Sequence, residues 1–189
     1  MYHIKDDLRC RKSAEKIGEA YRSLLKLKPL GEIRITDIQK KSGTGRSTFY
    51  RLFDNTDDVL LYIIEEEFRD MGRMYRELDW QDFTAGFIGS IISGSRELSN
   101  VAVSGKTHLI TMALRRNLTH ETEMLGFDTG NNPGYMIAIF VGACLSLVIA
   151  WEENGRQEST EELARLMRKA LNYSEMENVL KRHEGRARL

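Results

Sequence analysis

Between Leu60 and Leu78 the apolar residues Leu60, Ile64, Phe68, Met71, Tyr75 and Leu78 recur at steps of three or four. This stripe constrains the fold more than any other feature of the chain. A step of that size returns to the same side of an α-helix, whereas a half-buried strand hides every second residue. The stripe predicts one long helix of roughly five turns with a charged opposite face, on which Glu65 and Arg69 are spaced to pair at i,i+4.

The same period governs most of the chain, so the expected fold class is all-α. From Ser13 onward, Ile17, Ala20, Leu24 and Leu27 share a helical face until Pro29 and Gly31 end it. Thr36 and Gln39 have capping-box spacing, which predicts a short second helix opening at Thr36 and stopping at Gly43. A third short helix carries Phe49, Leu52 and Phe53. Three short helices, the last two joined by a tight Gly-containing turn, outline a helix-turn-helix module. Two or three further helices are expected over 81–98 and 105–122, followed by a connecting loop, "HETEMLGFDTGNNPG". Asn132 and Pro133 then have the order of an N-cap and a first helical residue. That helix should stop at Asn154-Gly155, and Ser159 with Glu162 forms a second capping box opening an amphipathic helix. The tail "KRHEGRARL" is expected to fray.

The segment "YMIAIFVGACLSLVIAW" forces a choice, because no charged residue occurs between Asp128 and Glu152. A membrane-spanning helix needs about 20 apolar residues and is usually flanked by cations. This stretch is short for that, contains Gly142, Cys144 and Ser146, and has no basic cluster beside it. It reads better as a helix buried on several faces, in a core and against a partner subunit.

Bulk composition, with 41% hydrophobic and 30% charged residues, is that of an ordinary globular protein, and 2 prolines leave no room for a Pro-rich linker. Cys10 and Cys144 are far apart, and His3, His108, His120 and His183 form no ligand pair at helical spacing, so no metal, cofactor or disulfide is expected. "MYHIKDDLRCRK" is too charged for a secretory signal, which points to a cytoplasmic protein. Catalytic motifs are scarce. "GFIGSIISGSR" lacks the Lys-Ser/Thr of a phosphate loop, and Glu65, Glu66 and Glu67 diverge around a helix rather than converge on a metal. The chain is not expected to be an enzyme.

Net charge is zero, but residues 1–55 hold 13 Lys and Arg against 7 Asp and Glu, a surplus of +6, which the remaining residues cancel with 15 against 21. A basic head on an acidic body suits a nucleic-acid partner. Residues 14–68, from "AEKIGEAYRSLL" through "GTGRSTFYRLFDN" to "IIEEEF", resemble the DNA-binding head of TetR family transcriptional regulators. The core of the match is "T-FYR-F" followed by an acid and an apolar pair, and "WEENGRQESTEELARLM" is more loosely similar to the end of some members. The resemblance implies a helix-turn-helix DNA-binding domain over 1–55 and a helical ligand-binding and dimerisation domain over 56–189.

On that basis the third helix presents its N-terminal part to a major groove. The expected DNA-contacting residues are Thr36, Lys40, Lys41, Thr44, Arg46, Ser47, Thr48, Tyr50 and Arg51, with Arg9, Arg11 and Lys12 adding charge ahead of the first helix. Phe49 and Phe53 should turn inward. The implied function is a ligand-responsive repressor on a palindromic operator, acting as a homodimer through helices 133–154 and 159–172, where Gly142 and Ser146 allow close approach. Met71, Met74, Tyr75, Phe83, Phe87, Met112 and Phe140 are candidates for lining a chamber for a partly apolar small molecule, or simple core.

Departures from the family pattern keep other readings open. Many members have a histidine where this chain has Leu52, lysines at the positions of Asp54 and Thr56, and a serine cap where it has Gly45. Glycine is an acceptable cap, but lost cations weaken phosphate binding. A protein-binding co-regulator with reduced operator affinity, or an activator, fits the same residues.

Overall fold

In the computed structural model of the chain, regular structure is helical throughout the described residues, which are 2–5, 7–75, 86, 88–89, 101, 104–121 and 133–170; the side chains of 71–75, 115, 117–121, 133–134, 136–137 and 168 lie outside that description. The helices are α1 (Leu8–Leu25), α2 (Ile35–Ser42), α3 (Arg46–Leu52), α4 (Thr56–Tyr75), α5 (Thr107–Glu121), α6 (Pro133–Glu153) and α7 (Thr160–Ala170), with a 3-10 turn at Leu30–Glu32. The helix expected over 81–98 falls largely outside the described residues, as do the loop before Pro133 and the tail.

Caps explain where the boundaries depart from the periodicity. Helix α1 starts five residues before Ser13 because the Asp7 carboxylate accepts the Cys10 N–H at 2.8 Å. It ends at Leu25, which leaves Leu27 73% exposed and off the apolar face. Helix α2 opens at Ile35, one residue earlier than Thr36, because Asp37 and not Gln39 closes its first turn: the Asp37 carboxylate accepts the Arg34 N–H at 2.9 Å and is also bonded by Lys28 Nζ. Gln39 instead buries its amide nitrogen. The capping box expected at α7 is present, with Ser159 N–H on Glu162 Oε2 at 2.9 Å and Glu162 N–H on Ser159 Oγ at 3.3 Å. Ahead of it, Gly155 and Arg156 are both left-handed and end α6, and Trp151 Nε1 donates to the Glu158 carbonyl at 3.0 Å across the turn.

The N-terminal part of the core forms where α1, α2, α3 and α4 meet. Ile17, Tyr21, Ile38, Phe49, Leu52, Phe53, Leu60, Ile63 and Ile64 are all fully buried there. Gly18 lets α1 approach α4, since a Cβ at that position would sit 3.4 Å from the Tyr62 ring. Helix α4 packs on α1 at one end and on α5 along its length; α5 packs on α6, and α6 on α7. Helix α4 thus joins the cluster of α1, α2 and α3 to α5.

Helix α6 is apolar on every side, but this chain covers only part of it. Phe140, Val141, Cys144, Leu145 and Val148 are buried, whereas Tyr135, Ala138, Ile139, Gly142, Ser146 and Ala150 are exposed along one stripe. Among the described residues no helix is long and apolar enough to cross a membrane.

Candidate nucleic-acid interface

The turn between α2 and α3 is built from three adjoining residues. Gly43 ends α2 at φ 68, a left-handed conformation that costs a side-chain-bearing residue but not glycine. Ser42 Oγ lies 2.6 Å from Thr44 Oγ1 and accepts the Thr44 N–H at 3.2 Å, which closes the turn from both sides. Gly45 then caps α3 in extended geometry, its carbonyl accepting the Phe49 N–H at 3.0 Å.

Helix α3 divides cleanly into an anchoring and an outward side. Phe49 and Leu52, with Phe53 just beyond, are fully buried. The Phe49 and Phe53 ring centroids are 5.9 Å apart. Arg46, Ser47, Tyr50 and Arg51 are exposed, and Thr48 is half-buried. Arg46 lies over the Tyr50 ring at 5.6 Å, a cation–π contact that holds the guanidinium along the helix surface. Helix α2 contributes Thr36, Lys40 and Lys41, all exposed, while the Thr44 hydroxyl is half-buried and engaged with Ser42. Arg9, Arg11 and Lys12 are exposed, but they lie within the first turns of α1 instead of ahead of it. The Cys10 thiol and N–H hold the Asp7 carboxyl below its ordinary value, and the Arg51 charge on α3 adds to the effect.

The acidic run after α3 has work inside the molecule. Asp54 faces His3, whose Nε2 is 3.2 Å from Oδ1. Asp57 is bonded by Lys106 from the segment before α5. Asp58 is buried, accepts the Asp54 N–H at 2.9 Å, and gives its own N–H to Asn55 Oδ1 at 2.9 Å, so this pair caps α4. First-turn acids also suit the helix dipole.

The pairing expected between Glu65 and Arg69 is not formed. Arg69 bonds Glu66, and Glu65 is turned inward, 5% exposed, where it meets Arg116 Nη1 at 2.8 Å and the Tyr2 hydroxyl. Periodicity alone misses this, because both partners of Glu65 are about fifty or more positions away in sequence. The N-terminal arm that supplies Tyr2 also escapes a reading by charge, although its alternating Tyr2 and Ile4 both pack against the core.

Of the expected chamber residues, only Met112 and Phe140 have side chains among those described. Met112 is 40% exposed and Phe140 is 5% exposed. Met71, Met74 and Tyr75 lie on α4 with side chains outside the description, and Phe83 and Phe87 lie outside the described residues altogether.

No protein-family model matches the sequence, and no curated protein matches it. Solved structures do match its fold. Lin0861 from Listeria innocua superposes with a TM-score of 0.73 at 16% identity, covering 90% of this chain and 95% of that one. A TetR transcriptional regulator from Rhodococcus sp. RHA1 gives 0.64 at 15% identity, over 86% and 96% of the two chains. RolR, solved in complex with resorcinol, gives 0.59 at 15% identity, over 85% and 87%. The chain has the all-helical fold of TetR-type transcriptional regulators.

Proposed function

We propose that this protein is a TetR-like, ligand-responsive transcriptional regulator that binds a palindromic operator as a homodimer. The observation that carries this reading is the outward row Arg46, Ser47, Tyr50 and Arg51 on a helix anchored by fully buried Phe49, Leu52 and Phe53. A helix so presented fits a major groove; Arg46 serves base edges, while Tyr50, Arg51, Lys40 and Lys41 serve phosphates. One seven-residue helix reads few base pairs, so two heads are needed, about one helical turn apart. The exposed stripe on α6, from Tyr135 to Ala150, with Leu166 of α7 exposed nearby in the chain, supplies an apolar surface for a second copy. Gly142 suits close approach there, because a Cβ would meet nothing within its own chain.

The effector enters the body, bounded by α4, α5 and α6, and repositions the heads through α4, which both parts share. RolR, of similar fold, holds resorcinol, which supports a small partly apolar effector here. The co-regulator reading rests on Asp54 and Thr56; the His3 contact gives the first of these an intramolecular role. Footprinting on the DNA flanking the protein's own coding region tests the proposal. Arg46→Ala should relax base preference there, and Tyr50→Phe should weaken binding across sequences. An intact dimer that protects no DNA at low salt would refute it.

A further inference from the structure

We propose that residues 2–5 form a strap that couples α5 to the reading helix α3 through half-buried Tyr2, buried Glu65 and the more exposed Arg116; the proposal rests on the regulator reading for its use, but not for its existence. The strap has two attachments. At the head, the His3 N–H donates to the Leu52 carbonyl at 2.8 Å, at the last residue of α3, and His3 Nε2 faces Asp54. The Tyr2 ring packs edge-on to Tyr62 with centroids 5.7 Å apart and lies 6.2 Å from Phe53. At the body, the Tyr2 hydroxyl donates to one oxygen of Glu65, and Arg116 of α5 donates to the other at 2.8 Å.

Glu65 is the node because it is a buried carboxylate. Each of its oxygens receives one donor, and a buried charge left without partners is costly, so movement of either donor is felt by the other. Burial, and then the hydrogen bond and charge of Glu65, hold the Tyr2 phenol far above its usual range, so it stays a donor. The charges of Arg116 and of Arg69, the latter bonded to Glu66, oppose this rise without cancelling it. On α5, Arg116 follows Met112 by four residues, which places it on the same face as an exposed chamber candidate. A ligand that shifts α5 therefore draws Arg116 from Glu65. Tyr2 is then left as the principal donor to a buried charge, and the arm moves with the end of α3 to which it is bonded. Helix α4 need not swing as a rigid lever for the signal to reach the reading helix.

Hydrogen exchange on the full chain, without DNA or effector and with any tag at the C-terminus, tests the coupling. Arg116→Met should raise amide exchange about five- to tenfold in residues 2–5 and 50–55, which Arg116 does not touch, and Arg116→Lys should restore most of the protection. Because a bare buried carboxylate could unfold the protein, the same substitution is also made on Glu65→Gln. There Arg116→Met should add nothing to exchange in the arm, since the charge that links the two is gone. Faster exchange confined to α4 and α5 in Arg116→Met would overturn the proposal, as would an equal effect of Arg116→Met with and without Glu65→Gln. Lack of a DNA footprint would sink the regulator reading and leave these exchange results standing, so the two failures are distinguishable.

Discussion

Replacing Asp54 by lysine tests how the head meets phosphates. Within helices α2 and α3, leaving Arg46 to the bases, the exposed cations are Lys40, Lys41 and Arg51, and the expected salt slope rests on these three alone. Two heads then neutralise about six phosphates, and at about 0.9 per phosphate the logarithm of affinity should fall with the logarithm of salt at a slope of about −5. Between 50 and 200 mM salt this is a loss of roughly 10³-fold. Asp54 is exposed immediately beyond α3, so Asp54→Lys adds one cation per head and should steepen the slope to about −7, a loss of roughly 10⁴-fold over the same range. Since the substitution also breaks the contact with His3, Asp54→Asn serves as the control: it removes the acid without adding a counterion-releasing group and should leave the slope unchanged. The assay is fluorescence anisotropy on a duplex of arbitrary sequence across a salt series. An unchanged slope in Asp54→Lys would show that position 54 does not approach the backbone, and a wild-type slope already near −7 would show that the cation assignment is incomplete.

Three further outcomes follow from the geometry. Phe49→Ala empties a fully buried site at the centre of the head and should cost about 3–5 kcal/mol in urea unfolding, enough to release α3; a cost below about 1 kcal/mol would mean the anchor is misplaced. Ile139→Glu places a charge on the exposed stripe of α6, where Ile139 is 55% exposed, and should give monomers by sedimentation with helical content unchanged; a persistent dimer would move the interface elsewhere. The Asp37 carboxyl is held below its ordinary value of 3.8, first by the Lys28 hydrogen bond and then by the Arg34 N–H. A depressed folded-state value contributes stability above the unfolded value, and this is lost as pH falls below 3.8 through the depressed value. Asp37→Asn should therefore flatten that acid limb of thermal stability, and an identical limb in the variant would contradict the assignment.

Much of the fold was legible because helical burial repeats locally. The stripe of buried Leu60, Ile64 and Phe68 in α4, the left-handed stop at Gly43 and the Ser159–Glu162 box are each set by residues within a few positions of one another; Leu78 and the side chains of Met71 and Tyr75 lie outside the description. The same locality explains the division of α3, where Phe49 and Leu52 are spaced by one turn and the intervening Tyr50 and Arg51 face outward. The molecule departs from periodicity where a carboxylate has a competing partner, near or distant. Asp37 took the cap assigned to Gln39 and gained Lys28, nine residues back, and Glu65 left Arg69 for Arg116 and Tyr2. Of the acids at 54, 57 and 58, Asp54 departs from the cations expected of a phosphate-binding surface, whereas Asp57 and Asp58 stand in the first turn of α4, where the helix dipole favours acids. Their partners His3, Lys106 and Asn55 show that they fasten the head to the arm, the body and the cap of α4, which only a folded chain reveals.

Selection of duplex DNA from a random pool by the wild-type protein tests the central claim most directly. The account predicts enrichment of a two-fold-symmetric sequence whose half-sites are centred about one helical turn apart, roughly 34–36 Å, with enrichment lost in Arg46→Ala at particular base positions. A pool that stays unenriched while the protein remains a folded dimer would contradict it.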